Sequence, residues 1–385
     1  MTHDNAGTPG TDHAKHIYIN ILRALIFIAF LYMFLVGIGL LGDSFKLLGK
    51  GVAEQLIAAT SNPFAGLFIG LLATSIVQSS SVTTSMTVAL VSGGALTLQN
   101  AVPIIMGANI GTTITCLLVS LGHVRRNEEF ERAFAGANMH DCFNVLSVIV
   151  LMPLQLATGF LDKTAEFLSS IFYGAQSGEF PSPLAIAIKP AVHAIHGMMR
   201  DTLELTDLTT GIVSVTISAL FIFMALTFMV KSMRVLAASK VEKQITRIFS
   251  ANTYIIFLIG VMVTAIIQSS SITTSIMVPM IGAGLITLEQ GFPIAVGANI
   301  GTTITALMAA LAGNQAGLAV AFVHLLFNLC GTLIFFVPPW TRRIPVNIAK
   351  FLAKHFVRRK QLAFAYVAGL FFVLPIVLIY ITEHW

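Results

Sequence analysis

A segment of 38 residues occurs twice in this chain. Residues 78–115 read QSSSVTTSMTVALVSGGALTLQNAVPIIMGANIGTTIT, and residues 268–305 read QSSSITTSIMVPMIGAGLITLEQGFPIAVGANIGTTIT; 22 of the 38 positions are identical. The shared residues are mostly Gln, Ser, Thr, Asn and Gly. Chance similarity between apolar helices would instead be carried by Leu and Val. Polar sequence kept twice in an apolar setting implies two half-sites of one binding site, built by two structural repeats. A later match fixes the register. His140-Asp141-Cys142-Phe143-Asn144 corresponds to His324-Leu325-Leu326-Phe327-Asn328, after a loop six residues longer in the first unit.

The setting is a membrane. Of 385 residues, 56% are hydrophobic and only 10% charged, with a mean hydropathy of +0.86; a soluble domain carries about 25% charged residues. Apolar runs at roughly 17–41, 98–121, 131–156, 209–231, 288–312, 317–338 and 361–382 reach the ~20 residues a spanning helix needs. Two further runs, 62–92 and 252–282, are long enough to span, but each is interrupted by its QSSS. Gly93-Gly94 closes the first and Gly282 with Gly284 closes the second. Such a break predicts a helical hairpin that enters and leaves on one side. The more polar stretches 44–59 and 233–249 are expected along the interface. Residues 1–16 are polar, lack an apolar core, and read as a disordered tail rather than a signal peptide.

Charge orients the layout. With the N-terminus inside and each hairpin making no net crossing, the inner segments are 1–23, 122–132, 231–249 and 340–360. They hold 17 of the 22 Lys and Arg residues; the outer segments hold Lys46, Lys50, Lys163, Lys189 and Arg200. That asymmetry is the positive-inside bias. The net charge of +5 therefore belongs to loops. No basic stripe with interleaved aromatics suggests nucleic acid.

The chain then divides into a cytoplasmic tail (1–16), a first repeat (17–156), an outer connecting segment (157–208), a second repeat (209–338) and a basic loop with an extra C-terminal helix (339–385). Each repeat crosses the membrane three times, and an odd number inverts the second relative to the first. The expected fold is all-α: two inverted repeats, each with a re-entrant hairpin carrying QSSS and a broken helix carrying GANIGTT, both QSSS tips lying near mid-membrane.

The chemistry follows from what is missing. Residues 62–121 contain no Lys, Arg, Asp or Glu, and residues 251–313 contain only Glu289. An interrupted helix leaves free N–H groups at the start of its second half, where anions are favoured. Ser79, Ser80 and Ser81, with Ser269, Ser270 and Ser271, add hydroxyl donors there. A dianion buried without a countercharge is very costly. Since no Lys or Arg is at hand, the charge must come from bound cations, and neutral oxygens suit Na⁺. Asn109 and Gly111, with Asn299 and Gly301, are expected to loosen their helices. Thr112 with Thr115 and Thr302 with Thr305 sit at i, i+3 on one face. With the Gln78 or Gln268 carbonyl they could form an oxygen cage. The alternative reading is that GANIGTT simply permits close helix packing.

Asp141 is the one acid well inside a span, roughly 13 Å past Arg132 at 1.5 Å per residue. An intramembrane carboxylate is a functional candidate. Asn144 lies on the same face, and Leu325 stands at the matching place in the second unit. His140 and His324 are expected to be hydrogen-bonded structural residues. His193 and His196 have no third metal ligand. Cys116, Cys142 and Cys330 lie in apolar stretches, which predicts neither a disulfide nor a cysteine metal site.

At these residues the chain resembles the type II sodium/phosphate cotransporters, the solute carrier 34 family and its bacterial relatives. The resemblance rests on both QSSS runs, both GANIGTT runs, and Arg132-Ala-Phe-Ala-Gly-Ala with His140-Asp141 and Phe143-Asn144. It covers roughly residues 17–338. It implies inorganic phosphate as substrate, a Na⁺ gradient as driving force, and QSSS hairpins lining the phosphate site. It implies a cation site at Gln268, Ser269, Ser270, Thr302 and Thr305. It makes Asp141, with Asn144 beside it, the mark of an electrogenic member. The outer segment 157–208 is short and lacks both Cys and an N-x-Ser/Thr acceptor, unlike that of the animal members, which points to a bacterial inner membrane.

The expected partners are phosphate, Na⁺ and lipid, with no cofactor and no nucleic acid. A homo-oligomer is compatible with the sequence. The rival readings are a carrier of another oxyanion, a phosphate exporter, a channel, or an intramembrane serine hydrolase. The last lacks a His or Lys base in either hairpin.

Overall fold

The computed structural model describes residues 9–48, 50–174, 183–241 and 252–384, and every element among them is a helix. Backbone polar groups in lipid must be satisfied within a segment, and helices do this. In chain order the helices are α1 (Pro9–Leu47), α2 (Lys50–Ala59), α3 (Pro63–Val77), α4 (Ser80–Ser92), α5 (Leu98–Gly111), α6 (Ile114–Leu121), α7 (Asn127–Thr158), α8 (Phe160–Gly174) and α9 (Pro183–Gly197). They continue with α10 (Asp207–Val241), α11 (Thr253–Ile267), α12 (Ser270–Gly282), α13 (Leu288–Leu311), α14 (Gln315–Phe335) and α15 (Pro339–Arg358). The last span is α16 (Lys360–Ala368) and α17 (Leu374–His384), joined by a π turn at Gly369–Val373.

Seven stretches are long and apolar enough to cross a membrane: Leu25–Phe45, Leu98–Leu121, Asn127–Thr158, Asp207–Phe228, Leu288–Leu311, Gln315–Phe335 and Lys360–Thr382. They coincide with the seven apolar runs of the sequence, and the protein is a multi-pass membrane protein. Two boundaries differ from expectation. The first turns of α1 fall within the stretch 9–16 read as a tail; residues 1–8 lie outside the described residues. Likewise, 233–241 continues α10 instead of starting an interfacial helix, because no Gly or Pro interrupts it. Residues 242–249 of that stretch lie outside the described residues.

At each QSSS the chain folds back on itself. Thr74 Oγ1 donates to Thr83 Oγ1 at 2.9 Å, and Thr264 Oγ1 donates to Thr273 Oγ1 at 2.9 Å. Nine residues along one continuous helix would be about 13 Å apart. The arms α3/α4 and α11/α12 are therefore hairpins. Gly94 and Gly284, with φ +77 and +75, reverse the chain again beyond the second arms.

The two arms of a hairpin pack on different partners. The first arms pack chiefly on their own repeat, α3 on α5 and α11 on α13, with α3 also against α17; the second arms pack both within their repeat, α4 on α1 and α5 and α12 on α13, and across it, α4 on α13 and α14, and α12 on α6 and α7. Side chains from the opposite repeat also secure the base of each second arm. Asn314 Nδ2 donates to Ser92 O at 2.9 Å, and Arg132 Nε donates to Gly282 O at 2.8 Å. Ser92 and Gly282 are equivalent positions of the repeated segment.

The GANIGTT runs correct one expectation. In the first repeat the helix is interrupted after Gly111, at Thr112-Thr113, yet both residues keep right-handed helical angles. In the second, α13 runs unbroken through Asn299 and Gly301. The glycines serve close packing instead. A Cβ at Gly297 would collide with Phe257 O, and one at Gly301 would sit 2.6 Å from Val261 O. Nor does Asn299 open its helix, because its side chain is fully engaged by α7: Asn299 Nδ2 donates to Asn144 Oδ1 at 2.7 Å, and His140 Nε2 lies 2.7 Å from Asn299 Oδ1.

Candidate functional site

The tips of both hairpins share one local design. Gln78 (φ 56) and Gln268 (φ 59) are left-handed and end the first arms, their N–H groups bonding Thr74 O and Thr264 O at 2.7 and 2.6 Å. A non-glycine residue held there carries strain, which concentrates at functional sites. The next residue is extended and caps the second arm. Ser79 Oγ accepts from Val82 N at 3.4 Å, and Ser269 Oγ accepts from Ile272 N at 3.3 Å. The amides of Ser80 and Ser81, and of Ser270 and Ser271, precede the first intrahelical donors, Thr83 N and Thr273 N, so two helix N-termini present free N–H groups at the tips.

The tips meet. Ser81 Oγ lies 3.5 Å from Gln268 O, and both tips open onto one cavity of about 590 Å³. Its polar wall is Gln78, Ser79, Ser81 and Thr115 from the first repeat, with Gln268, Ser269, Ser271 and Ser275 from the second. Val119 on α6, Phe223, Leu226 and Thr227 on α10, and Ile276 on α12 continue it away from the tips. Among the described residues lining it, none is charged or a histidine. Three oxygens on this wall are buried without a hydrogen-bond partner: Thr115 Oγ1, Gln268 Oε1 and Ser275 Oγ. Such groups are costly in lipid unless a ligand completes them.

The remaining candidate residues divide. Ser80 and Ser270 do not line the cavity; Ser80 Oγ instead accepts from Thr112 Oγ1 at 2.5 Å. Thr302 Oγ1 donates to Ala298 O in its own helix at 2.8 Å. Thr305 is buried with Oγ1 unpartnered. The Thr112/Thr115 pair thus divides: Thr112 holds Ser80, while Thr115 lines the cavity that both tips face. Asn109 contributes its backbone, with Asn144 Nδ2 donating to Asn109 O at 2.7 Å.

Asp141 does not line the cavity. It is buried on α7, where Thr113 Oγ1 donates to Oδ1 at 2.9 Å and Tyr366 OH donates to Oδ2 at 2.6 Å. Its neighbour His140 turns the other way, to Asn299. Two residues at these sites escape the sequence argument. Ser275 ends the repeated TTS and carried a signal that could have been used. Tyr366 sits on the unpaired C-terminal helix, where the repeat offers no register. Among the described residues no group of three His, Cys, Asp or Glu could hold a metal ion.

A multi-pass helical protein with a polar cavity between two like hairpin tips has the architecture of a membrane carrier. The sequence profile of the Na⁺/Pi-cotransporter family matches residues 33–174 and 220–349. The chain is 33% identical to sodium-dependent phosphate transport protein 2A of Ovis aries over 430 aligned positions, which span 93% of this chain and 67% of that protein. It is 33% identical to the 2A protein of Rattus norvegicus (92% of this chain, 67% of that one) and 32% identical to the 2B protein of Homo sapiens (92% and 64%). No solved structure matches it. The chain belongs to the Na⁺/Pi-cotransporter family, a family of transporters rather than enzymes.

Proposed function

We propose that this protein is a sodium-coupled symporter that imports inorganic phosphate across a bacterial inner membrane. It works by alternating access between two inverted repeats. The observation that carries the reading is the single cavity faced by both QSSS tips, in a chain of this family. Phosphate takes the serine hydroxyls and free amides of the tips, Ser79, Ser81, Ser269 and Ser271 foremost. Ser80 and Ser270 shape those tips from behind. The described residues of the wall offer no countercharge, so Na⁺ supplies it, and the unpartnered oxygens of Thr115, Gln268 and Thr305 are the candidate ligands. Under the topology of the charge bias, Val119, Phe223, Thr227 and Ile276 lie in the inner halves of their helices. The cavity in this conformation then extends inward from the tips, as an inward-facing carrier requires.

Asp141 lies apart from this cavity and holds a further Na⁺ with Asn144. Phosphate carries about −1.5 to −2 charges at neutral pH, reasoning from phosphate esters. Two Na⁺ leave the cycle nearly neutral, and a third at Asp141 moves positive charge inward. Each net charge gains about 2.3 kcal/mol per 100 mV.

The test is phosphate uptake into proteoliposomes with and without an inward Na⁺ gradient. Uphill uptake that collapses without the gradient supports the symporter. Sodium-independent or downhill-only flux overturns it. Competition by arsenate but not sulfate separates phosphate from other oxyanions, and Asp141→Gly should keep uptake while losing its current.

A further inference from the structure

Among the described residues, Tyr366 is the one residue of the C-terminal span that hydrogen-bonds Asp141, and it lies outside both stretches matched by the family profile. Its ring is held by aromatic rings from two other helices. Phe134 on α7 has its centroid 6.4 Å away, and Phe356 on α15 lies at 5.4 Å. This clasp aims the hydroxyl at Oδ2 at 2.6 Å, while Thr113 covers Oδ1 at 2.9 Å. Each carboxylate oxygen thus faces one hydroxyl; Thr113 shares its single proton with Ile110 O at 2.8 Å, so Tyr366 is the undivided donor, and Asp141 forms no ion pair among the described residues.

We propose that Tyr366 is the positioning residue that stabilises Asp141 while no cation is bound, and thereby sets how tightly the cation is held there. This rests on the reading of Asp141 as a cation ligand. A buried carboxylate with neither cation nor donors is very costly in a membrane. Charge-assisted hydrogen bonds from two hydroxyls offset that cost. An arriving Na⁺ draws on the same negative charge as those hydroxyls and weakens both hydrogen bonds. The hydroxyls therefore favour the empty carboxylate and compete with the cation. Removing one raises the free energy of the empty state and leaves the occupied state little changed. Tyr366→Phe keeps both ring contacts and deletes only the donor.

The experiment compares the parent, Tyr366→Phe, Asp141→Gly and the double variant in proteoliposomes. It measures the half-saturating Na⁺ concentration for phosphate uptake and the charge moved per phosphate. Tyr366→Phe should lower the half-saturating Na⁺ concentration by on the order of tenfold, the factor one hydrogen bond to a charged group carries. The same substitution should have no such effect in the Asp141→Gly background. Thr113→Val, which removes the other donor, should shift it in the same direction. An unchanged or raised half-saturating concentration in Tyr366→Phe overturns the proposal, as does an equal shift in the absence of Asp141. An Asp141→Gly carrier that moves the parent's charge per phosphate overturns the reading of Asp141 and this proposal together. Altered charge there with a normal sodium response in Tyr366→Phe overturns the role of Tyr366 alone.

Discussion

Asn109 and Asn299 occupy the same place in two identical GANIGTT runs, yet the structure predicts very different consequences for replacing them by Ala. Both are buried, each 3% exposed. Asn299 joins α13 to α7 by two contacts, Nδ2 to Asn144 Oδ1 at 2.7 Å and Oδ1 to His140 Nε2 at 2.7 Å. Asn109 Nδ2 donates only to Ile105 O in its own helix, at 2.8 Å. Hydrogen bonds between membrane helices average about 0.6 kcal/mol and reach about 1.7. Asn299→Ala loses two of them and strands His140 Nε2 and Asn144 Oδ1, for a cost of about 1–3 kcal/mol. That is a shift in the unfolding equilibrium of roughly 5- to 150-fold. Asn109→Ala loses one local bond, and the tie from Asn144 to the Asn109 backbone survives, so it should cost under about 1 kcal/mol. The assay is the fraction of detergent-solubilised protein that stays monodisperse after stepwise heating, read beside phosphate uptake. Equal losses in the two variants, or a larger loss for Asn109→Ala, would refute the assignment of this network to one side of the molecule.

Other predictions concern the tips and the packing. Ser81→Ala and Ser271→Ala should each raise the half-saturating phosphate concentration by about tenfold or more at saturating Na⁺, one charge-assisted donor being lost; Ser80→Ala and Ser270→Ala, off the cavity wall, should change it far less. Gly297→Leu cannot fit against the Phe257 carbonyl, and its expression as folded protein should fall steeply, as judged by size-exclusion profile. Asn314→Ala frees Ser92 O at the base of the first hairpin. Limited proteolysis near residues 93–97 should then accelerate, whereas an unchanged rate would deny Asn314 that role.

Much of this was legible because lipid makes backbone satisfaction absolute. Apolar runs gave the spans, and QSSS, too polar for the middle of a helix, marked the chain reversals. The same logic overreached at GANIGTT. Gly and Asn look like helix breakers in isolation, but the cost of Gly is met by contacts from α3 and α11, and Asn299 is neutralised by partners 155 and 159 residues away in sequence. Those partners are visible only in three dimensions. Ser80 and Ser81 are neighbours of the same type, and only the helical turn decides that one faces Thr112 and the other the cavity. Tyr366 was beyond reach for another reason. Nothing in an unpaired apolar helix tells a tyrosine that meets a carboxylate from one that meets lipid.

The crossed packing of the second arms has a consequence for how the protein is made. Helix α4 ends at residue 92, while its partners α13 and α14 begin at residues 288 and 315. At 5–20 residues per second, α4 waits roughly 10–40 s for the first of them. Within the first repeat Thr83 has Thr74 and Ser80 has Thr112 during that interval, whereas Ser81 waits for the Gln268 carbonyl of the second tip. The first hairpin therefore completes its packing only after the second repeat has been made.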